Sequence, residues 1–211
     1  MEVAHKAARS RSSKRSAAHL VPRHRKPDEM SLEAWQVALR RQYADMQRFA
    51  VRNVGNEPVF SEFKVTNPET KRTYRVAIRG AGLGENYCSC PDFAVNTLGT
   101  CKHVESVLKT LRRQRGARAA LAAGFRPAAS EIYLRYGARR EVFFRPGERC
   151  PEALRRLAEP CFDPSGKLRP GAYDGFHRFL KEAQSLEPGL QCYDDALKFL
   201  SQARDRAAAR S

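Results

Sequence analysis

The stretch "CSCPDFAVNTLGTCKH", Cys88 to His103, constrains this chain more than any other. Three of its six cysteines and one of its five histidines fall within it, as Cys-x-Cys, ten residues, then Cys-x-His. The sequence has no apolar run of about 18 residues, so no membrane span is expected. It also lacks the apolar core of a secretory signal, so a reducing compartment, the cytoplasm, is expected. Cysteines there serve as metal ligands or free thiols more often than as a disulfide framework. A redox dithiol fits poorly. Cys-x-x-Cys is absent, and a Cys-x-Cys disulfide is strained.

A metal site satisfies the spacing. Zinc takes four tetrahedral nitrogen or sulfur ligands, with Zn–S about 2.3 Å, which puts neighbouring sulfurs roughly 3.8 Å apart. In an extended segment residues i and i+2 point the same way, so Cys88 and Cys90 converge while Ser89 points away. On a regular helix the same spacing faces nearly opposite directions. Cys101 is therefore expected at or just before a helix start, with His103 in the first turn. The partial positive charge of that helix end favours a thiolate. Phe93 and Val95 are expected to pack the intervening loop. The result is a closed site for one structural Zn2+ on Cys88, Cys90, Cys101 and His103, with no place for a catalytic water.

The flanking sequence supplies the elements. "VFSEFKVT" (Val59 to Thr66) and "RTYRVAIRG" (Arg72 to Gly80) alternate apolar and polar residues around the turn residues "NPETK", which predicts a β-hairpin. "GAGLG" (Gly80 to Gly84) is not followed by the helix that a dinucleotide fingerprint needs, so it reads as a flexible connector. Val104, Val107, Leu108 and Leu111 mark one face of a helix running to about Arg115. Upstream, a helix capped by Ser31 presents Leu32, Trp35, Ala38, Leu39, Tyr43, Met46 and Phe49 as its core stripe. That helix is expected to depend little on the metal.

Downstream come a second hairpin, Glu131 to Gly137 with Arg140 to Pro146, and helices from Pro151 to Leu157, Tyr173 to Leu186 and Asp194 to about Arg206. The fold class is α+β: a small ββα zinc module, a helix before it and a ββααα region after it. The expected organisation is a disordered basic arm over residues 1–27, a zinc-finger domain over 28–118 and a C-terminal region over 128–208. The arm has eight Lys/Arg against Glu2 alone, and its Arg- and Ser-rich composition is shared with organellar transit peptides.

The segment "NYCSCPDFAVNTLGTCKHVESVL" closely resembles the SWIM zinc finger, whose pattern is Cys-x-Cys, a variable gap, then Cys-x-His. It is nearest the version in front of the motor of bacterial Swi/Snf-type DEAD/DEAH-box helicases. "VTNPETKRTYRVAIRG" resembles that family too, as does the region from Glu131 to Arg206 more weakly. The resemblance implies zinc ligation by Cys88, Cys90, Cys101 and His103, and use of the module for DNA and protein contacts. A motor is missing from the sequence given. Gly166-Lys167 is followed by Leu168 and lies five residues after Cys161, so no phosphate-cradling loop forms. Asp28-Glu29 continues as Met30-Ser31, so there is no DEAH-type box. No enzymatic activity is expected.

A net charge of +16 points to a polyanionic partner, most simply DNA. Lys102, Lys109, Arg112, Arg113, Arg115 and Arg118, in or just after the post-cluster helix, are the expected contacts, set against Glu105 alone. Arg139-Arg140 and Arg155-Arg156 read equally as phosphate contacts or solvated faces. Cys150, Cys161 and Cys192 could join His177 only at spacings that fit no compact finger, so they read as free thiols. Asp194-Asp195 suits a helix N-terminus. Apolar surface around Leu197 to Leu200 is a possible dock for an ATPase core. Three functions follow: a DNA-binding partner of a Swi/Snf-type helicase motor, in cis or in trans; a protein-interaction adaptor with incidental basic charge; or a fragment of a helicase-like ATPase.

Overall fold

The computed structural model describes residues 20–208 and bears out an α+β fold. Most of the expected basic arm, residues 1–19, lies outside the described residues. Residues 20–27 run beside the first helix, α1 (Leu32–Met46). There the Trp35 indole donates to the Pro22 carbonyl (2.8 Å), and the Val21 amide donates to Gln42 Oε1 (2.8 Å).

Four antiparallel strands follow in the order β1 (Ala50–Asn53), β2 (Glu62–Thr66), β3 (Thr73–Ala77) and β4 (Tyr87–Cys88). β2 and β3 are the expected hairpin, in the register Phe63 to Val76 and Val65 to Tyr74. β1 lacks a clean alternation, and pairing with β2 places it. Phe63, Val65, Val76 and Cys88 form the inner face of the sheet. Val104, Val107, Leu108 and Leu111 of α3 (Lys102–Arg112) pack onto it. α2 (Pro91–Val95) lies within the loop before α3. The helix expected to about Arg115 is α3, and a further helix that the sequence reading did not name, α4 (Arg115–Ala123), follows after Arg113 and Gln114. Ala117 and Leu121 of α4 complete this first core.

The stripe expected along α1 reaches the first core only at its end, through Phe49, which lies past the helix. Ser31 caps the helix as expected, accepting from the Ala34 amide (3.1 Å). The buried residues, however, are Val37 and Ala44, while Leu32 and Met46 are 51% and 60% exposed. α1 packs on α3 through a face that carries two arginines in ion pairs. A count of apolar residues cannot find such a face. Through this packing α1 touches the elements that carry the metal ligands.

β6 (Glu141–Arg145), β5 (Glu131–Arg135) and β7 (Gln191–Cys192) form a second sheet, in that order. β5 and β6 are the expected second hairpin, and β7 runs parallel to β5. α5 (Glu152–Ala158), α6 (Phe176–Leu186) and α7 (Asp194–Ala208) supply Leu154, Phe176, Phe179, Ala183, Ala196 and Leu200 to a second core. Leu200 is buried, and Leu197 and Phe199 pack against that core. Of the surface expected around Leu197 to Leu200 as a dock, Leu200 lies in the core, while Leu197 and Phe199 are half-buried. Among the described residues no helix is long and apolar enough to cross a membrane.

The two cores meet through a polar joint. Arg79, just past β3, donates to both carboxylate oxygens of Asp195 on α7 (2.8 and 3.0 Å). Its guanidinium lies 3.8 Å from the Tyr193 ring centroid, and the Tyr136 hydroxyl also donates to Asp195 (2.6 Å). Arg79 and Asp195 side chains are 2% and 10% exposed. Nearby, Arg145 pairs with Glu131 (3.2 Å) and donates to the Arg79 carbonyl. Burial pushes the Glu131 carboxyl up to about 6 even with Arg145 beside it.

The glycine segment belongs to this joint and is not a free connector. Gly84 donates to the Gly99 carbonyl (3.0 Å), and its own carbonyl accepts from the Tyr136 amide (2.8 Å). Gly84 and Gly99 have φ of +84° and +68°, and a Cβ on either would strike the Tyr136 carbonyl. Only glycine tolerates both the dihedral and the approach.

Asp195 therefore does more than charge a helix end. Asp195→Ala leaves Arg79 buried without its carboxylate and should cost about 3–5 kcal/mol. The neighbouring Asp194→Ala should cost only the helix-end term, about 0.3–1 kcal/mol. Urea unfolding of the two variants checks this; equal losses would show that the ion pair contributes nothing beyond the helix end.

Candidate metal centre

Each ligand is delivered by a different local device. Cys88 ends β4, where pairing with Val76 turns it to the inner face of the sheet. Cys90 is the N-cap of α2, with Pro91 at the first helical position, and its sulfur accepts from the Phe93 amide (3.4 Å). Pro91 fixes the backbone where a helix needs no amide donor. Cys101 is the N-cap of α3, with extended backbone (φ −152°, ψ 171°), and His103 follows in the first turn. That is the placement the spacing requires. Ser89 points away and exchanges hydrogen bonds with the backbone of Arg75.

The four ligand atoms lie within 4.8 Å of one another, and all four residues are buried. Cys88 Sγ and Cys101 Sγ sit 3.8 and 4.0 Å from His103 Nδ1. The edges of a tetrahedral zinc site are roughly 3.5–3.8 Å, so small inward movements of the side chains complete the coordination. Zinc held there would cross-link β4, α2 and α3 through four ligands. With four protein ligands and no exposed edge, the site is of the structural kind.

Charge explains why a metal belongs here. Three thiols this close cannot all ionise. Hydrogen bonding to Cys101 and Cys90, with burial added, pushes the Cys88 thiol far up. Hydrogen bonding with Cys101 and Cys88 holds Cys90 well below the ordinary thiol range. Burial pushes Cys101 up to about 12. The helix end expected to favour a Cys101 thiolate is thus outweighed by burial, and a divalent cation is what stabilises three thiolates together.

Surrounding residues fix the ligands. The His103 ring lies between Tyr74 (centroids 4.7 Å apart) and Phe49 (5.1 Å, edge-on). Asn96 Nδ2 donates to the Asp92 and Thr100 carbonyls (2.7 and 3.1 Å) and closes the loop between the ligand pairs. Arg40 pairs with Asp92 (2.6 Å). Arg41 pairs with buried Glu105, which also accepts from the Thr100 hydroxyl (2.9 Å). α1 is thereby fastened to both ends of the loop. The sequence signal for Tyr74 was its inward phase in β3. Nothing local marks Arg40, Arg41 or Asp92, because their partners lie 52 and 64 residues away. Phe93 is buried as expected, but Val95 is 82% exposed because α2 turns it outward.

The expected nucleic-acid contacts are not equivalent. Lys109 is committed within the fold: its Nζ donates to the Ala44 and Asp45 carbonyls (2.9 and 3.1 Å) and pairs with Asp45. Lys102 Nζ lies 4.7 Å from the Tyr43 ring centroid. Arg112, Arg113, Arg115 and Arg118 are exposed around the α3–α4 corner and pair with no carboxylate among the described residues. Arg140 donates to the Ala94 carbonyl, and Arg156 pairs with Glu152 along α5. Cys161 and Cys192 pack against the second core, as does Cys150. They join no metal cluster among the described residues.

Residues 74–111, from β3 to the end of α3, match the family model of the SWIM zinc finger. No curated protein and no solved structure matches the chain. The match spans all four ligands, so the chain carries a SWIM-type Cys3His cluster able to bind one zinc ion.

Elemental analysis should find one zinc per chain. Structural zinc contributes on the order of 10–16 kcal/mol in finger peptides, so Cys101→Ala should unfold the first core. Because α1 is pinned to Asp92 and Glu105, amide exchange should show α1 losing protection with it. Continued protection of α1 would contradict the coupling.

With the Cys88 and Cys101 thiols both pushed up, two of the three should hold protons until metal displaces them. The directions cited therefore predict release of about two protons on binding. Zinc affinity measured against a competing chelator should rise about 100-fold from pH 7 to pH 8, after correction for the chelator's own protons. A rise of tenfold or less would mean that at most one thiol is protonated.

Proposed function

We propose that this protein is a non-catalytic, zinc-stabilised DNA-binding module that works beside a Swi/Snf-type helicase motor. One observation carries the DNA part of the reading. Four arginines, Arg112, Arg113, Arg115 and Arg118, stand exposed, and paired with no carboxylate among the described residues, at the corner that follows the metal site, in a chain of net charge +16. Unpaired arginines on a rigid helical corner suit phosphate, which they bind through a planar fork of donors. The zinc does no chemistry in this reading; it holds α3 in place, and α3 sets the corner.

The helicase part rests on the resemblance of the cluster and its preceding hairpin to the region in front of such motors. The sequence supplies neither a phosphate-cradling loop nor a metal-holding acidic box, so the chain should not turn over ATP. A motor would act on the DNA that this module holds.

Binding to duplex DNA should be independent of sequence and strongly dependent on salt. Each phosphate neutralised contributes about −0.9 to the slope of log K against log salt. Replacing the four arginines by serine should flatten the slope of the zinc-loaded protein, by up to about 3.6 if each meets a phosphate. A wild-type slope near zero would instead favour the adaptor reading. ATP turnover by the purified chain, with or without DNA, would refute the non-catalytic assignment.

A further inference from the structure

The outer face of the first sheet, the side away from α3, carries a second basic surface. The register sets Arg52 opposite Lys64 and Lys64 opposite Arg75, so three cations form one row across β1, β2 and β3. All three are exposed. Arg75 has a partial partner in Glu62 (3.4 Å). Arg52 and Lys64 pair with no carboxylate among the described residues. Like charges placed directly opposite destabilise a sheet, so such a row costs stability that folding alone does not require. Beside it, Ala50, Thr66 and Thr73 make the next row, with the two threonine hydroxyls 2.8 Å apart. Arg52 and Lys64 of the first row, with Ala50, Thr66 and Thr73 of the second, line an open groove of about 510 Å³. Lys71 and Arg72, also exposed, extend the charge around the hairpin turn.

We infer that this face is a seat for the sugar-phosphate backbone of duplex DNA, with Arg52 and Lys64 as its principal phosphate contacts. The inference rests on the DNA-binding reading above and assigns it a second surface. Charge complementarity identifies a polyanion. The lack of a stacking platform identifies a duplex over a single strand. Single-strand binders stack bases on aromatic side chains, and Tyr87, beside Ala77, is the one aromatic residue on this face of the paired strands. Its ring is already approached by the Arg75 and Arg79 guanidiniums, at 5.4 and 5.8 Å. Short threonines beside the cations leave the groove open to a backbone and add hydroxyl donors, which position a duplex without reading its sequence.

The test uses the full zinc-loaded chain and a short mixed-sequence duplex carrying a fluorophore. Arg52→Thr with Lys64→Thr keeps strand-forming residues and removes both charges; one zinc per chain confirms the fold. Loss of two phosphate contacts should lower the salt slope by about 1.8, while Arg52→Lys with Lys64→Arg restores it. An unchanged slope in the threonine variant, with wild-type binding intact, overturns the assignment of this face and leaves the DNA reading standing. Failure of the wild-type chain to bind any duplex overturns both. Displacement of the duplex by poly-L-glutamate at equal charge assigns the face to acidic protein and overturns the nucleic-acid occupant. Tighter binding of a single strand than of the duplex overturns the choice of duplex.

Discussion

Three thiols and an imidazole brought within 4.8 Å of one another are the constraint from which the first half of this molecule follows. The sheet it anchors has short strands, and the helix it starts is 11 residues long, too short to be stable alone in water. The ligands come from the end of β4, the cap of α2 and the cap and first turn of α3, so one ion bound there would lock three elements together. The aromatic walls on His103 and the arginines of α1 then depend on where those caps are held. Electrostatics gives the arrangement its direction: side chains this close and this buried resist ionising together unless a cation is among them.

The second half is joined to the first by a charge buried against a charge. Arg79 and Asp195 are 116 residues apart in sequence and form a bidentate pair, with Tyr136 and Tyr193 closing around it. The glycines at 84 and 99 let the backbone of the metal loop touch the end of β5. The same loop that carries the ligands thus meets the C-terminal sheet. A motor or partner attached to the second core would be oriented with respect to the metal module through these contacts.

Much of the metal site was legible because its geometry is local. Cys-x-Cys needs an extended segment, Cys-x-His needs a helix start, and both follow from side-chain direction alone. The hairpins were legible for the same reason, since period-two alternation and turn residues are local signals. What escaped was long-range. The buried face of α1 consists of Val37 and Ala44 between paired arginines, so its apolar stripe misled. Lys109 looked like a free cation but caps the end of α1. Asp195 looked like a helix-end charge but holds the joint. The cationic row on the sheet appears only once the register is known, because Arg52, Lys64 and Arg75 sit on three separate strands.

The central claim is that a closed centre of three sulfurs and one nitrogen organises this fold. X-ray absorption at the zinc edge of the purified chain tests it most directly. Three Zn–S distances near 2.3 Å and one Zn–N distance near 2.0–2.1 Å are expected, with no oxygen ligand. Two or fewer sulfurs, or a bound water in the shell, would contradict it.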